Sequence, residues 1–352
     1  MPAMVDPALC FSVLAISAAW DTATSQIKSQ VRARKLIEKA LEHLRDRIHP
    51  DQSIADTTIM AFSILWGASY WLGDPGFMRS FKSSVYGFVQ SRGGLDRLGL
   101  AGGVASVVHN TDILHSVTTA ESCNYQNPTT VGPIEKALPI SPNPDHFWVG
   151  EDARSLIEPR LLQTCLEFCR LIDAVELQDE QWGMRPYLYT LSKIGSIEND
   201  LCAAQATHKG TRTLNEHVCY AAVIHATVNF HMTQELWFLL TNMASRSTQA
   251  LKEIRGSNYW QGKIELLMWV LFSVLLVPHD FEDKAVVTNI LSKLVADRFD
   301  DEDEWPGDWR LQIRNILGRF MWSNKKSRAG FSRICDSIEQ AVQEGAGTGA
   351  DG

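Results

Sequence analysis

The chain has 352 residues, 45% hydrophobic and 21% charged, with a net charge of −8 and a pI near 5.7. That is an ordinary globular balance, and eleven Trp and fourteen Phe give it enough apolar area for a substantial core in one or two domains. The acidic sign argues against a surface built to clamp phosphate backbones, and seven scattered cysteines argue against a disulfide scaffold and against a C-x2-C zinc site.

The elements read helical almost from end to end. Ala8 to Trp20 is apolar, but no Lys or Arg precedes it and Asp6 sits just upstream, so it does not match a secretory signal. Ile27, Val31, Ile37, Leu41, Leu44 and Ile48 recur at helical spacing, with Lys28, Arg32, Lys35 and Lys39 on another face. Glu38, Glu42 and Asp46 dilute that basic row, which favours a solvated outer face over a DNA-facing one. Pro50 ends the helix, and Ile54 to Leu72, apolar nearly all round, is expected at the centre. Gly73-Asp74-Pro75 is turn chemistry, and a helix follows from about Phe77 to Arg92. Gly94 is expected to be its left-handed stop, with Leu95 folding back onto Val89. A further helix covers about Ala105 to Ala120.

Six prolines and little periodicity mark Ser122 to Pro159 as a loop or joint. Helices are expected again over Leu161–Val175, Trp182–His208, Leu214 to about Ala244, Tyr259–Val277, Asp283–Arg298, Asp308–Ser323 and Phe331–Glu344. A small-residue tail, Gly345–Gly352, is expected to be disordered. No strand alternation occurs, so the expected fold is all-α, a multi-helix bundle or irregular helical-repeat array without a sheet. Its parts are 1–121, the Pro-rich loop 122–159, 160–344 and the tail 345–352. The longest apolar runs, Ile59–Leu72 and Leu266–Val277, fall short of the ~20 residues that span a bilayer, so both read as buried helices.

Candidate chemistry is sparse. The cysteines, including the helical pair Cys165 and Cys169, read as small core residues of a reducing compartment. The glycines at 345, 347 and 349 lack the following helix that a phosphate loop needs. Asp300-Asp301-Glu302-Asp303-Glu304 suggests magnesium binding by Asp300, Asp301 and Asp303, as in class I terpene cyclases acting on prenyl diphosphates. A second metal motif at Asn199-Asp200 has Ala204 where a hydroxyl is wanted and His208 where an acid is. Trp305-Pro306-Gly307 also makes the acidic run a turn, so a solvated loop is favoured. His217, His231 and Glu235 share a helix face, but no third ligand lies at local spacing, and an exposed i,i+4 pair is the better reading of His231 and Glu235. No G-x-S-x-G elbow occurs.

Three stretches taken in order carry a resemblance. Asp6-Pro7 leads into the apolar helix to Trp20 and the charged helix through Leu44. Arg92-Gly93-Gly94-Leu95, then Leu98-Gly99, forms an RGG-hydrophobic-x-x-LG element followed by Asn110-Thr111-Asp112. Leu267 to Phe272 contains Trp269, and Ile316 to Trp322 is followed by Gly330-Phe331. Together they resemble the fungal-specific transcription factor domain, the regulatory domain of fungal binuclear zinc-cluster transcription factors. The resemblance implies an all-helical nuclear domain that regulates transcription of metabolic or secondary-metabolite genes and is not an enzyme. It implies co-regulator proteins or another transcription factor as partners, with a small-molecule effector and a homodimer also in keeping. Arg92, Gly93, Gly94, Leu95, Leu98, Gly99, Asp112, Trp269 and Trp322 would be structural motif residues. These 352 residues hold no array of six close cysteines. No direct DNA contact is therefore expected from them, and zinc only if a cluster precedes them. The readings from other classes are a terpene-cyclase-like metal enzyme and a helical interaction scaffold.

Overall fold

The computed structural model describes residues 6–24, 27–48, 53–125, 145–176, 185–230, 237–254, 260–277, 281–299, 308–323 and 327–347. Among them are fourteen α-helices, two short 3-10 turns and no strand, so the fold is all-α. The chain divides into two units, residues 1–119 with 123–132, and residues 120–122 with 133–352. No described helix is long and apolar enough to cross a membrane.

The first unit holds α1 (Pro7–Thr24), α2 (Ile27–Arg45), α3 (Asp56–Trp71), α4 (Pro75–Ser91) and α5 (Gly103–Thr119), with a 3-10 turn at Leu95–Arg97. Asp6 caps α1 by accepting from the Leu9 amide at 3.2 Å, and its other oxygen takes Arg47 from beyond α2 at 2.7 Å. On α2, Ala33, Ile37, Ala40 and Leu44 are buried, while Arg32, Lys35 and Lys39 face solvent and Lys39 pairs with Glu42 at 2.6 Å. α3 is the hub, packing against α1, α2, α4 and α5, and it presents buried residues on every side. Its Gly67 allows the close approach of α1, since a Cβ there would meet Ile16 Cδ1 at 3.2 Å. Asp74 caps α4 through the amides of Gly76 and Phe77, at 3.0 and 3.1 Å, with Pro75 opening the helix.

α4 ends differently from the sequence expectation by one residue. Gly93 has φ +86° and its amide bonds Gln90 O at 3.0 Å, while the Gly94 amide bonds Val89 O at 3.0 Å. This is a Schellman cap in which Gly93, not Gly94, is the first left-handed residue, and the second glycine, at φ +108°, turns the chain away. Leu95 and Val89 are both buried. Three further positive-φ residues, Leu100, Ala101 and Gly102, lead into α5.

The second unit holds α6 (Glu151–Leu156), α7 (Pro159–Glu176), α8 (Arg185–His208), α9 (Leu214–Phe230), α10 (Trp237–Ile254), α11 (Ile264–Leu275), α12 (Phe281–Phe299), α13 (Trp309–Gly318) and α14 (Arg328–Gly347). α11 is buried nearly throughout and packs against α9, α10, α12, α13 and α14. Around it sits an aromatic knot. Trp269 stacks on Phe320 (5.7 Å between centroids) and on His225 (5.7 Å), Trp148 meets it edge-on at 5.5 Å, and Phe272, Trp322 and Phe331 extend the cluster. Gly330 lets α14 close on this core, because a Cβ there would lie 2.6 Å from Leu276 Cδ2.

Several expectations shift here. The Pro-rich stretch is not structureless at its end, because Phe147–Val149 forms a 3-10 turn, α6 follows, and Trp148 is fully buried. One large aromatic anchors a segment that has no periodicity to reveal it. The single helix expected over 214–244 is two, α9 and α10. α9 is apolar nearly all round, so its pattern carries no phase that a break could interrupt. The last helix starts at Arg328 and runs to Gly347, three residues into the expected tail.

Candidate functional site

The residues of the RGG-to-LG pattern, with Asp112, are joints of the scaffold. Arg92 at the end of α4 donates from Nη1 to Ile54 O at 2.6 Å and pairs through Nη2 with Asp56 Oδ1 at 3.1 Å. The second oxygen of Asp56 accepts from the Gly99 amide at 3.0 Å. A carboxylate in the first turn of α3 thus gathers both ends of the RGG-to-LG element, and the helix macrodipole favours it there. Gly99 leaves room for this joint, because a Cβ would overlap Asp56 Oδ2 and force the carboxylate to shift. Leu95 and Leu98 bury their side chains beneath this clamp.

Asp112 of α5 is fully buried and accepts three hydrogen bonds, from Tyr86 Oη at 2.5 Å and from the amides of Asn124 and Tyr125 at 2.6 and 3.0 Å. It fastens the turn after α5 to α4. Burial, then the bond to Asp112, holds the Tyr86 phenol far above its ordinary range. Beside it, Lys82 Nζ lies 2.5 Å from His115 Nε2, His115 Nδ1 meets the Tyr70 hydroxyl, and Trp66 Nε1 donates to that hydroxyl at 3.1 Å. An ammonium only donates, so Nε2 accepts, the ring proton sits on Nδ1, and the Tyr70 oxygen receives two donors. With Tyr70 1% and Asp112 0% exposed, this network is packed core rather than a place for substrate.

Trp269 and Trp322 lie in the aromatic knot of the second unit, both buried. His217 is buried too, and desolvation pushes its pKa down to about 4 against the opposing pull of Glu216. His231 and Glu235, which share its helix face in the sequence pattern, lie outside the described residues, as does the acidic run Asp300–Glu304. Cys165, Cys169, Cys202, Cys219 and Cys335 are buried; Cys123 is half-buried and Cys10 exposed. Burial raises the Cys165 and Cys169 thiols well above their usual range, which makes them inert core residues. Among the described residues no three His, Cys, Asp or Glu side chains are placed to hold a metal ion.

Among the described residues the second unit holds a cleft of about 480 Å³ between α6, the turn before α11, and the ends of α12 and α13. Phe147, Leu156, Ile264 and Leu266 line its apolar wall, and Ile264 is 43% exposed. Its polar wall carries Lys263, Glu265, Arg298 and Arg319. Glu265, in the first turn of α11, accepts from Arg319 Nη1 at 2.5 Å and pairs with Arg298 Nη2 at 3.5 Å. Each charge sits where a helix dipole favours it, the acid at an N-terminus and the arginines at two C-terminal ends. Nothing in the sequence announces this recess, since its parts are scattered from residue 147 to residue 319. A glutamate following Lys263 in the first turn of an apolar helix is the only local hint. Compared with known proteins, the chain matches no protein family, no curated protein and no solved structure.

Proposed function

We propose that this chain is the regulatory part of a zinc-cluster-type transcription regulator. In this reading it works in the nucleus through co-regulator proteins or another transcription factor, responds to a small-molecule effector, contacts no DNA itself and carries out no turnover. One observation supports it, the ordered pattern Arg92-Gly93-Gly94-Leu95, Leu98-Gly99, Asp112, Trp269 and Trp322. Arg92 and Gly99 meet at Asp56, Asp112 fastens the turn after α5, and the two tryptophans share one core. A signature made of joints suits a fold kept for its shape and surfaces, and a regulatory domain needs both.

The test is a fusion of the whole chain to a heterologous DNA-binding module upstream of a reporter in a fungal host. The expected outcome is a several-fold change in reporter output, up or down, against the module alone. A soluble, nuclear fusion that leaves the reporter indifferent would overturn the reading.

A further inference from the structure

From the cleft beside α11 we infer a binding site for a small organic acid, with the carboxylate on Arg319 and Arg298 and an apolar or aromatic body against Phe147 and Ile264. The binding claim stands on the geometry of the second unit, and only its role as an effector site rests on the regulatory reading above.

Two guanidinium groups offer ten N–H donors, and the one carboxylate between them has about four acceptor positions. Glu265 satisfies Arg319 closely, at 2.5 Å, but reaches Arg298 only at 3.5 Å. Both arginines line the cleft and stay accessible, at 48% and 44% exposure, so unsatisfied donors remain there for a second carboxylate. Planar guanidinium groups take carboxylates in a two-pronged geometry, which gives direction as well as charge. The first turn of α11 adds to this field: Lys263 at the cap position offers no acceptor side chain, and the residues from Ile264 to Leu266 line the cleft. Among the described residues that line the cleft, the other carboxylate is the exposed Asp152.

The apolar lining defines the rest of the ligand. Phe147 is held in place by a tilted contact with Phe320, 5.0 Å between centroids, and by the hydrogen bond its backbone N–H donates to Arg319 O at 2.6 Å. Ile264 leaves a large side chain uncovered beside it. Apolar side chains set beside cationic ones, in a recess of this volume, fit an amphipathic acid better than a bare inorganic anion. Because Glu265 ties the ends of α12 and α13 to α11, an incoming carboxylate competes with Glu265 and can take over its bridging role.

The experiment is a titration of the full chain with 3-phenylpropionate, its neutral amide and inorganic phosphate, followed by ligand-observed NMR and thermal shift. A fragment of this size is expected to bind in about the millimolar range. The acid should bind, the amide and phosphate at least about tenfold more weakly, and Arg298→Gln with Arg319→Gln should weaken the acid by about tenfold or more. Glu265→Gln removes the competing carboxylate, so it should tighten the acid by roughly threefold or more and gain more thermal protection from it than the wild type does. Arg319→Lys, read beside far-UV circular dichroism, covers the case in which the double variant fails to fold, and it should bind the acid several-fold more weakly. Equal binding of acid and amide, phosphate binding as tightly as the acid, unchanged affinity in the folded arginine variants, or weaker binding in Glu265→Gln would each overturn the inference. A chain that binds the acid yet leaves the reporter indifferent keeps the site and loses the regulatory reading; the reverse pattern separates the two equally well.

Discussion

Replacing Gly99 with Ala should cost far more than a surface methyl group ordinarily does. A Cβ at Gly99 overlaps Asp56 Oδ2, so the carboxylate must swing away from the Gly99 amide that it accepts at 3.0 Å. That movement loses a charge-assisted hydrogen bond, about 1.5–3 kcal/mol, and disturbs the pairing with Arg92. The pair is only about a fifth exposed, but screening still holds its separate contribution below about 1 kcal/mol. The net expectation is a loss of about 2–3 kcal/mol, or about 1 M in urea midpoint at an m-value near 2 kcal/mol/M. In an Asp56→Ala background the obstacle is gone, and the same substitution should cost less than about 0.5 kcal/mol. Urea unfolding of the four proteins, followed by tryptophan fluorescence, closes this double-mutant cycle. A Gly99→Ala variant within about 0.5 kcal/mol of wild type, or an equal cost in both backgrounds, would refute the clamp.

Other outcomes follow from the same geometry. His225 is fully buried and desolvation lowers its pKa to about 3, while that of His217 falls to about 4, against about 6.5 unfolded. Their folded values are depressed, so the unfolded chain binds more protons, and this stability is intact above about pH 6.5 and lost as pH falls towards 4. Each histidine contributes a slope of about 1.4 kcal/mol per pH unit in that window. His225→Phe keeps the stack on Trp269, so denaturant titrations between pH 6 and pH 4 should show the slope reduced by that amount. Ala101 sits at φ +51°, where an L side chain is strained, so Ala101→Gly should stabilise the chain by about 0.5–1 kcal/mol, read as a rise in Tm. Gly94 combines φ +108° with ψ 174°, a region almost closed to other residues, so Gly94→Ala should destabilise by about 1–3 kcal/mol in urea titrations. Under native conditions maleimide labelling read by mass spectrometry should modify Cys10 first and Cys123 more slowly, with the five buried thiols reacting only on unfolding.

How much of this the sequence discloses depends on whether the signal is local. The α3 hub and the α11 core stand out because long apolar runs between turn residues have few other fates, and the cap of α4 is legible to within one residue from its paired glycines. Contacts between distant positions are not legible. Asp56 and Gly99 are 43 residues apart, and each alone is an ordinary helix-start acid or loop glycine. Trp148 hides in a proline-rich stretch because burying one aromatic needs no period. The cleft is harder still, since Arg298, Arg319 and Glu265 each look like routine dipole-compensating charges until the fold brings them to one wall.

The aromatic knot around Trp269 also gives the second unit an optical signature of its own. Trp148 and Trp269, 5.5 Å apart and nearly perpendicular, are close enough for their indole transitions to couple, and the stacked Phe320 and His225 hold that geometry fixed. Coupled, immobile indoles give strong near-ultraviolet circular dichroism, whereas the same residues in a loosened core give almost none. The knot's share of the near-ultraviolet band, beside that of the Trp20–Trp71 pair in the first unit, therefore reports packing separately from helix content. Acid that charges His225 at the centre of the knot should remove that share while the far-ultraviolet helix signal still stands.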